Sequence, residues 1–272
     1  MLSGPPNHDA TLPPLEVTSL GTKDTRRPWR VNGLFARPRH ALIWTSRGQG
    51  RITLAGVQKG VGAHNAIFIP AGTMFALDMP QMFGSVVWID PALGLNTPDH
   101  PLHLRPRDVQ SHAELTSRID ALQQELSSEK PGNAAAAQAF AQLCLVWIDR
   151  NSQSGPITRP TAAERLMHRF SALIEANLHQ GQTTTDFANQ LNVTLTHLSR
   201  ACKAQSGRTA AHLLAERLTI EAREELSKND ITVRAVSERL GFSTPGNFSR
   251  FFQRNTGESP RNFISRLTHT SL

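Results

Sequence analysis

A chain of 272 residues is long enough for two domains of ordinary size, each with its own core. The net charge of +7 is unevenly placed: from residue 159 onward 15 Lys and Arg stand against 10 Asp and Glu, a basic excess that a phosphate-binding surface requires and that solvated helices also carry. Two cysteines without paired spacing, Cys144 and Cys202, argue against a disulfide framework or a structural zinc site, and no window approaches the roughly 20 apolar residues of a membrane span, so a cytoplasmic protein is expected.

Residues 1–24, rich in Pro, Gly and polar side chains, read as a disordered leader. The stretch 25–106 reads as short strands at 41–44, 51–55, 66–69, 74–77 and 85–89, punctuated by Gly48, Gly50, Gly60, Gly62, Pro70, Gly72 and Pro80. That close spacing is expected of an all-β barrel or sandwich. Residues 107–150 change character: 111–127 and 133–150 are rich in Ala, Leu, Gln and Glu at helical spacing, broken by Lys130-Pro131-Gly132. They predict a helical hairpin, with Leu115, Ile119, Leu122 and Leu126 on one face and Phe140, Leu143, Val146 and Trp147 on another. Burial against the barrel is the plain reading of those faces. Residues 151–160 hold Ser, Gly and Pro and read as a linker. Beyond them, 161–268 is helical nearly throughout, and turns at Gln180-Gly181, Asn192, Ser206-Gly207, Asn229-Asp230, Gly241 and Thr256-Gly257 divide it into about seven helices.

Within this last segment, Phe187, Ala188 and Leu191 form the apolar stripe of a short helix, Asn192 sits where the chain turns tightly, and Thr194 can cap the next helix. A small Ala at the closest contact suits the steep crossing of a helix-turn-helix, although an ordinary helical hairpin would show the same single pattern. The pattern recurs about fifty residues later: Leu191-Asn192-Val193-Thr194 matches Leu240-Gly241-Phe242-Ser243, and Leu198-Ser199-Arg200 matches Phe248-Ser249-Arg250, with one extra residue between the blocks of the second copy. Between the copies, 209–227 carries Leu213, Leu214, Leu218, Ala222 and Leu226 without an internal Gly or Pro, a helix of roughly 28 Å. Such a rod can hold two recognition helices near the ~34 Å of one DNA turn.

These blocks, together with Arg217-Leu218-Thr219-Ile220-Glu221-Ala222, Ile231-Thr232-Val233-Arg234-Ala235-Val236, Asn247-Phe248-Ser249-Arg250-Phe251-Phe252 and Thr256-Gly257-Glu258-Ser259-Pro260, resemble the DNA-binding domain of the AraC/XylS family of bacterial regulators. The resemblance implies two units in successive major-groove segments of promoter double-stranded DNA, RNA polymerase as a candidate partner, and an amino-terminal domain that senses a small-molecule effector or forms a homodimer. Carried onto matching positions, it implies base contacts from Leu195, Thr196, Ser199 and Arg200 in the first recognition helix and from Thr244, Pro245, Asn247 and Arg250 in the second. Guanidinium groups can bond guanine bidentately, so the arginines are the strongest of these candidates. Lys203, Arg208 and Arg254 fit phosphate contacts. Asn192 stands where the family has a turn glycine, Ser237 where it has a small alanine, and Ala201-Cys202 where it has a bulkier pair.

Residues Ile67-Phe68-Ile69-Pro70-Ala71-Gly72-Thr73-Met74 resemble a cupin-like sensing barrel. The expected fold class is therefore multi-domain, β then α: a cupin-like β-barrel (25–106) with a helical hairpin (107–150), then an all-α domain (161–268) of about seven helices holding two helix-turn-helix units. Metal-dependent cupins need about three ligands at fixed spacing, whereas His40 and His64 lie far apart and Met74 stands where histidine is common. No metal, cofactor or catalysis is expected from that pattern. His100 and His103 form a lone pair in a Pro-rich loop. An effector pocket is expected from among Trp44, Phe68, Phe75, Phe83 and Trp88, with Arg37 or Arg39 facing an anionic ligand. A cupin-type enzyme or metal-binding protein with an attached DNA-binding module stays open as the alternative.

Overall fold

The computed structural model describes residues 12–20, 33–153, 160–228 and 231–269. The expected leader at 1–11 and 21–24, the middle of the linker at 154–159 and the turn at Asn229-Asp230 lie outside the described residues.

Among the described residues eight strands form two antiparallel sheets: β1 (Leu15–Ser19), β2 (His40–Arg47), β3 (Gly50–Leu54), β4 (Val57–Val61), β5 (Ala66–Ile69), β6 (Phe75–Asp78), β7 (Phe83–Ile89) and β8 (Leu102–Leu104). The larger has the order β1-β7-β2-β5-β8 and the smaller β4-β3-β6. Of the expected barrel or sandwich the structure has the two-sheet form, not closed into a barrel among the described residues, because β3, β4 and β6 pair among themselves and β1 and β8 end the larger sheet. The expected leader also contains β1, which registers Leu15 opposite Ile89 and Val17 opposite Val87.

Side chains alternate across a strand, and here both faces of the larger sheet are apolar. Ala41, Ile43, Ile67, Ile69 and Val86 face the smaller sheet's Ile52, Leu54 and Phe75. Leu42, Trp44, Ala66, Phe68, Val87 and Ile89 face the helical hairpin α1 (Val109–Leu126) and α2 (Asn133–Gln153). From α1 come Leu115, Ile119 and Leu122, while Leu126 stays exposed. The buried stripe of α2 is Ala137, Ala141, Cys144, Leu145 and Ile148 together with Trp147, so the expected face is rotated. Leu143, which follows the buried Ala137 and Ala141 on another side of the helix, is 42% exposed.

Seven helices follow among the described residues, as expected from the turn spacing: α3 (Ala162–Asn177), α4 (Thr184–Gln190), α5 (Leu195–Ser206), α6 (Ala210–Leu226), α7 (Val233–Arg239), α8 (Pro245–Thr256) and α9 (Pro260–His269). Their starts are chemically marked. Thr161 with Glu164 and Thr183 with Asp186 make reciprocal capping boxes, and Thr194, Thr209, Thr232 and Thr244 each accept a backbone N–H two or three residues into the next helix. At about 26 Å, α6 runs through two cores. Ala210, Leu213 and Leu214 pack with α3, α4 and α5, whereas Ile220, Ala222 and Leu226 pack with Val236, Leu240, Phe248, Phe252 and Phe263.

Candidate nucleic-acid interface

The internal repeat is longer than its turn motif. Caps Thr183 and Thr232, helices α4 and α7, and turn residues Asn192 and Gly241 correspond at an offset of 49. From the caps Thr194 and Thr244 through α5 and α8 to Gly207 and Gly257 the offset is 50. The extra residue is therefore Ser243, inserted between turn and cap. This places Thr244, not Ser243, at the helix start and pairs Leu195 with Pro245, His197 with Asn247 and Arg200 with Arg250. The turn needs a left-handed residue in both copies: Asn192 has φ 56° and Gly241 φ 71°. Asn reaches this region at modest cost, so the departure from glycine leaves the turn intact.

Helices α5 and α8 bury one side and free the other. Leu198, Ala201 and Cys202, and their counterparts Phe248 and Phe252, are buried. On the opposite side Thr196, His197, Arg200 and Lys203 of α5 are exposed, as are Pro245, Asn247, Arg250 and Arg254 of α8; Leu195 is 40% exposed, and Ser199 is half-buried. The structure thus brings the predicted base-contacting residues of each unit onto one exposed face. Neither helix has an acidic residue in its first turn, so the partial positive charge of each amino terminus is not offset by a carboxylate there.

The second unit is prearranged. Asn247 Nδ2 donates to Ser243 Oγ at 2.7 Å, and Arg250 Nη2 donates to Asn247 Oδ1 at 2.6 Å. These bonds tie the guanidinium to the helix while Arg250 stays exposed. Thr244 caps the helix by accepting from Asn247 N, 3.1 Å away, and keeps its hydroxyl proton and one lone pair for a further partner. Of the predicted phosphate contacts, Lys203 and Arg254 are exposed, whereas Arg208 Nη1 pairs with Glu216 Oε2 at 2.5 Å. Burial raises the Glu216 carboxyl above the ordinary carboxylate range despite that partner.

Replacement of a bulky pair by Ala201-Cys202 does not leave the first unit loose, since both are buried. Its bulk comes from Phe187 and Phe170, whose rings meet edge to face at 5.8 Å. In the second unit the corresponding positions reverse the volumes: Val236 stands for Phe187 and Phe252 for Cys202. Phe252 packs on Phe248 and Phe263 at 5.9 and 5.4 Å. Burial pushes the Cys202 thiol up to about 12, far from the thiolate that redox chemistry needs.

With this duplicated geometry in view, a family profile described as "Helix-turn-helix domain" matches residues 187–266. Among curated proteins, the HTH-type transcriptional activator RhaS of Escherichia coli (strain SMS-3-5) is 27% identical over 164 residues, covering 60% of this chain and 57% of RhaS. The matched part of the carboxyl-terminal domain is a helix-turn-helix domain. The chain spans somewhat over half the length of the curated relatives it matches. Among solved structures, unsaturated fatty acid-bound wild-type ToxT from Vibrio cholerae strain SCE256 aligns over 92% of this chain and 94% of its own at 12% identity and TM-score 0.44. The C-terminal domain of AraT, a response regulator from Geobacillus stearothermophilus, aligns with 39% of this chain and 88% of its own at 28% identity and TM-score 0.36.

The residues predicted to line an effector pocket are distributed over different surfaces of the β domain that precedes the helix-turn-helix domain. Trp44 and Phe68 point to the hairpin, where Trp44 Nε1 donates to Thr116 Oγ1 at 3.0 Å; Phe75 lies between the sheets. Phe83 is exposed beneath Arg47, and Trp88 is half-buried with its Nε1 bonded to Thr18 Oγ1. Arg37 lies over Phe35, and Arg39 pairs with Glu16 at 2.9 Å. The strand alternation that fills both faces of the larger sheet is what separates them. Instead, His64, distant from the hairpin in sequence, stacks on His112 at 4.3 Å beside Trp44. Those two histidines, Thr116, Ser117, Asp120 and Gln124 line a groove of about 770 Å³. His100 pairs with Asp99 in solvent and His103 with Asn65, so that sequence pair diverges. Among the described residues no group of three or more His, Cys, Asp or Glu is placed to hold a metal, and no helix is long and apolar enough to cross a membrane.

Proposed function

We propose that this chain is a cytoplasmic, sequence-specific regulator of transcription that reads promoter double-stranded DNA with two recognition helices and answers to a small-molecule effector. The observation that carries the proposal is the duplicated unit itself, with Arg200 and Arg250 at the same position of α5 and α8, both exposed. Thr196, Ser199 and Arg200 in the first unit and Pro245, Asn247 and Arg250 in the second meet base edges, while the acid-free helix starts, Lys203 and Arg254 hold phosphates. That RhaS is a transcriptional activator supports the output being transcription, with RNA polymerase the partner at the promoter. In the amino-terminal domain the groove beside His64 and His112 is the site offered to an effector, and exposed Leu126 and Leu143 are available to a second copy of the chain.

The test is a gel-shift titration on duplexes that the wild-type chain selects from a random-sequence library. Loss of a bidentate arginine contact removes about 1–3 kcal/mol, so Arg250→Ala lowers affinity for the selected duplex roughly 5- to 150-fold. Binding to a scrambled duplex changes little, because phosphate contacts carry it. Equal losses on the two duplexes refute the reading.

A further inference from the structure

The two helix-turn-helix units touch each other directly, away from the helix that joins them. The turn between α3 and α4 passes over the turn of the second unit so closely that neither backbone leaves room for a side chain. A Cβ on Gly181 would lie 2.2 Å from the Gly241 carbonyl oxygen, and one on Gly241 would lie 2.3 Å from the Gly181 nitrogen. Both obstacles are backbone atoms, which cannot swing aside as a side chain can. Two polar links flank the contact. The His179 ring lies 3.1 Å through Nδ1 from the Arg239 carbonyl oxygen of α7, the ring nitrogen donating. Buried Arg217, in the middle of α6, donates through Nε and Nη2 to both oxygens of Glu175 at the end of α3, at 2.8 and 3.1 Å, and through Nη1 to Glu221 at 2.8 Å.

We infer that the Gly181–Gly241 contact, with His179 on Arg239, is a brace that fixes the separation and relative rotation of the two recognition helices, and thereby the spacing of the two half-sites the protein accepts. The joining helix, packed into both cores, sets the distance, but bending along its single span changes the relative rotation of the two units unless a second contact opposes it. The brace closes a loop: α3 to α6 through Arg217 and Glu175, α6 to α7 through Glu225 and Arg239 at 2.8 Å, and α7 with its turn back to the end of α3. One inserted base pair moves a half-site by roughly 3.4 Å and roughly 35°, which a closed loop cannot follow. Gly181 and Gly241 are then positioning residues that select spacing without touching DNA. The inference rests on the DNA-binding reading.

The experiment selects binding sites from a random-sequence duplex library, once with the wild-type chain and once with each variant. Gly181→Ala adds the clash; its φ of 65° also strains any alanine there. Gly207→Ala is the control, since φ is 74° but nothing lies within 4 Å of the added carbon, so it carries the same backbone strain without a clash. His179→Ala removes the flanking bond without altering a glycine and replaces Gly181→Ala if circular dichroism shows that variant unfolded. Wild type and Gly207→Ala enrich two half-motifs at one separation. Gly181→Ala and His179→Ala enrich the same half-motifs at separations spread by one or more base pairs. In titrations, a one-base-pair insertion costs the wild type about tenfold or more in affinity and the braceless variants less than about threefold. A single unchanged separation in the braceless variants overturns the brace alone. If wild type enriches no paired motif, the DNA-binding reading falls and takes the brace with it.

Discussion

One hydrogen bond decides what His103 can be. Asn65 Nδ2 donates to the Ala63 carbonyl, which turns Asn65 Oδ1 toward His103, so Nε2, 2.7 Å away, carries the proton and donates. Burial, then Arg105 and Lys59, holds this imidazole down at about 4, against an ordinary 6.5. A depressed folded value means that the unfolded chain binds the proton first: the contribution to stability is complete above pH 6.5 and is lost as pH falls toward 4. Between pH 7.5 and 5 this one group withdraws about 2 kcal/mol. His103→Gln keeps a donor for Asn65 but does not titrate, so urea denaturation at the two pH values shows a smaller loss for the variant by about that amount. The same pH dependence in both proteins would show that His103 is not the group responsible. In sequence it stands beside His100 as a lone pair in a Pro-rich loop; the strand register of β8 on β5 sends His103 to Asn65.

At the scale of elements, the two copies of one unit act as each other's controls. Ala188 of α4 corresponds to Ser237 of α7, and both are buried at the point where the helices cross. The Ser237 hydroxyl has no hydrogen-bond partner among the described residues. A buried hydroxyl left without a partner costs about 1–3 kcal/mol of desolvation, and the matching alanine shows that a methyl fits this crossing. Ser237→Ala therefore raises stability by about 1 kcal/mol or more, read as a higher midpoint in denaturant with an unchanged slope; a lower midpoint would mean the hydroxyl is bonded. Comparison of the copies also shows what was legible. Turn residues marked out about seven helices, and apolar spacing with the Thr194 cap marked the first helix-turn-helix, because these are local signals. The position of the extra residue was not legible, since Ser243 and Thr244 can each cap a helix and only the backbone shows that Thr244 does. Volume exchange between Phe187 with Cys202 and Val236 with Phe252 was hidden likewise, because the members of each pair lie 15 or more residues apart in the chain. Strands β1, β4 and β8 escaped notice for a different reason. They are short, sit in Pro-rich or charged stretches, and owe their form to the neighbours they pair with rather than to their own composition.

Across the whole molecule, the two domains share a core that neither half of the sequence announces. Gly56, with φ 80°, and Val57 at the start of β4 lie against α3, and a Cβ at Gly56 would strike the Met167 side chain. Leu34, Val57, Met74 and Ala76 are buried with Leu166, Met167, Phe170 and Ile174, so the smaller sheet covers the first helix-turn-helix unit rather than standing apart from it. Binding at the amino-terminal domain can reach the recognition helices through this seam, provided ligand affinity differs between docked and undocked states. Val57 is the side chain that tests the seam, since it is buried against α3 rather than in the core between the sheets. Val57→Glu places a carboxylate in that apolar contact, where burial without a partner is costly enough to part the surfaces. Calorimetry then shows the wild-type chain melting in one transition and the variant in two, as each domain unfolds on its own. A single transition at the wild-type midpoint would mean that the seam contributes nothing, and signals between the domains would need another route.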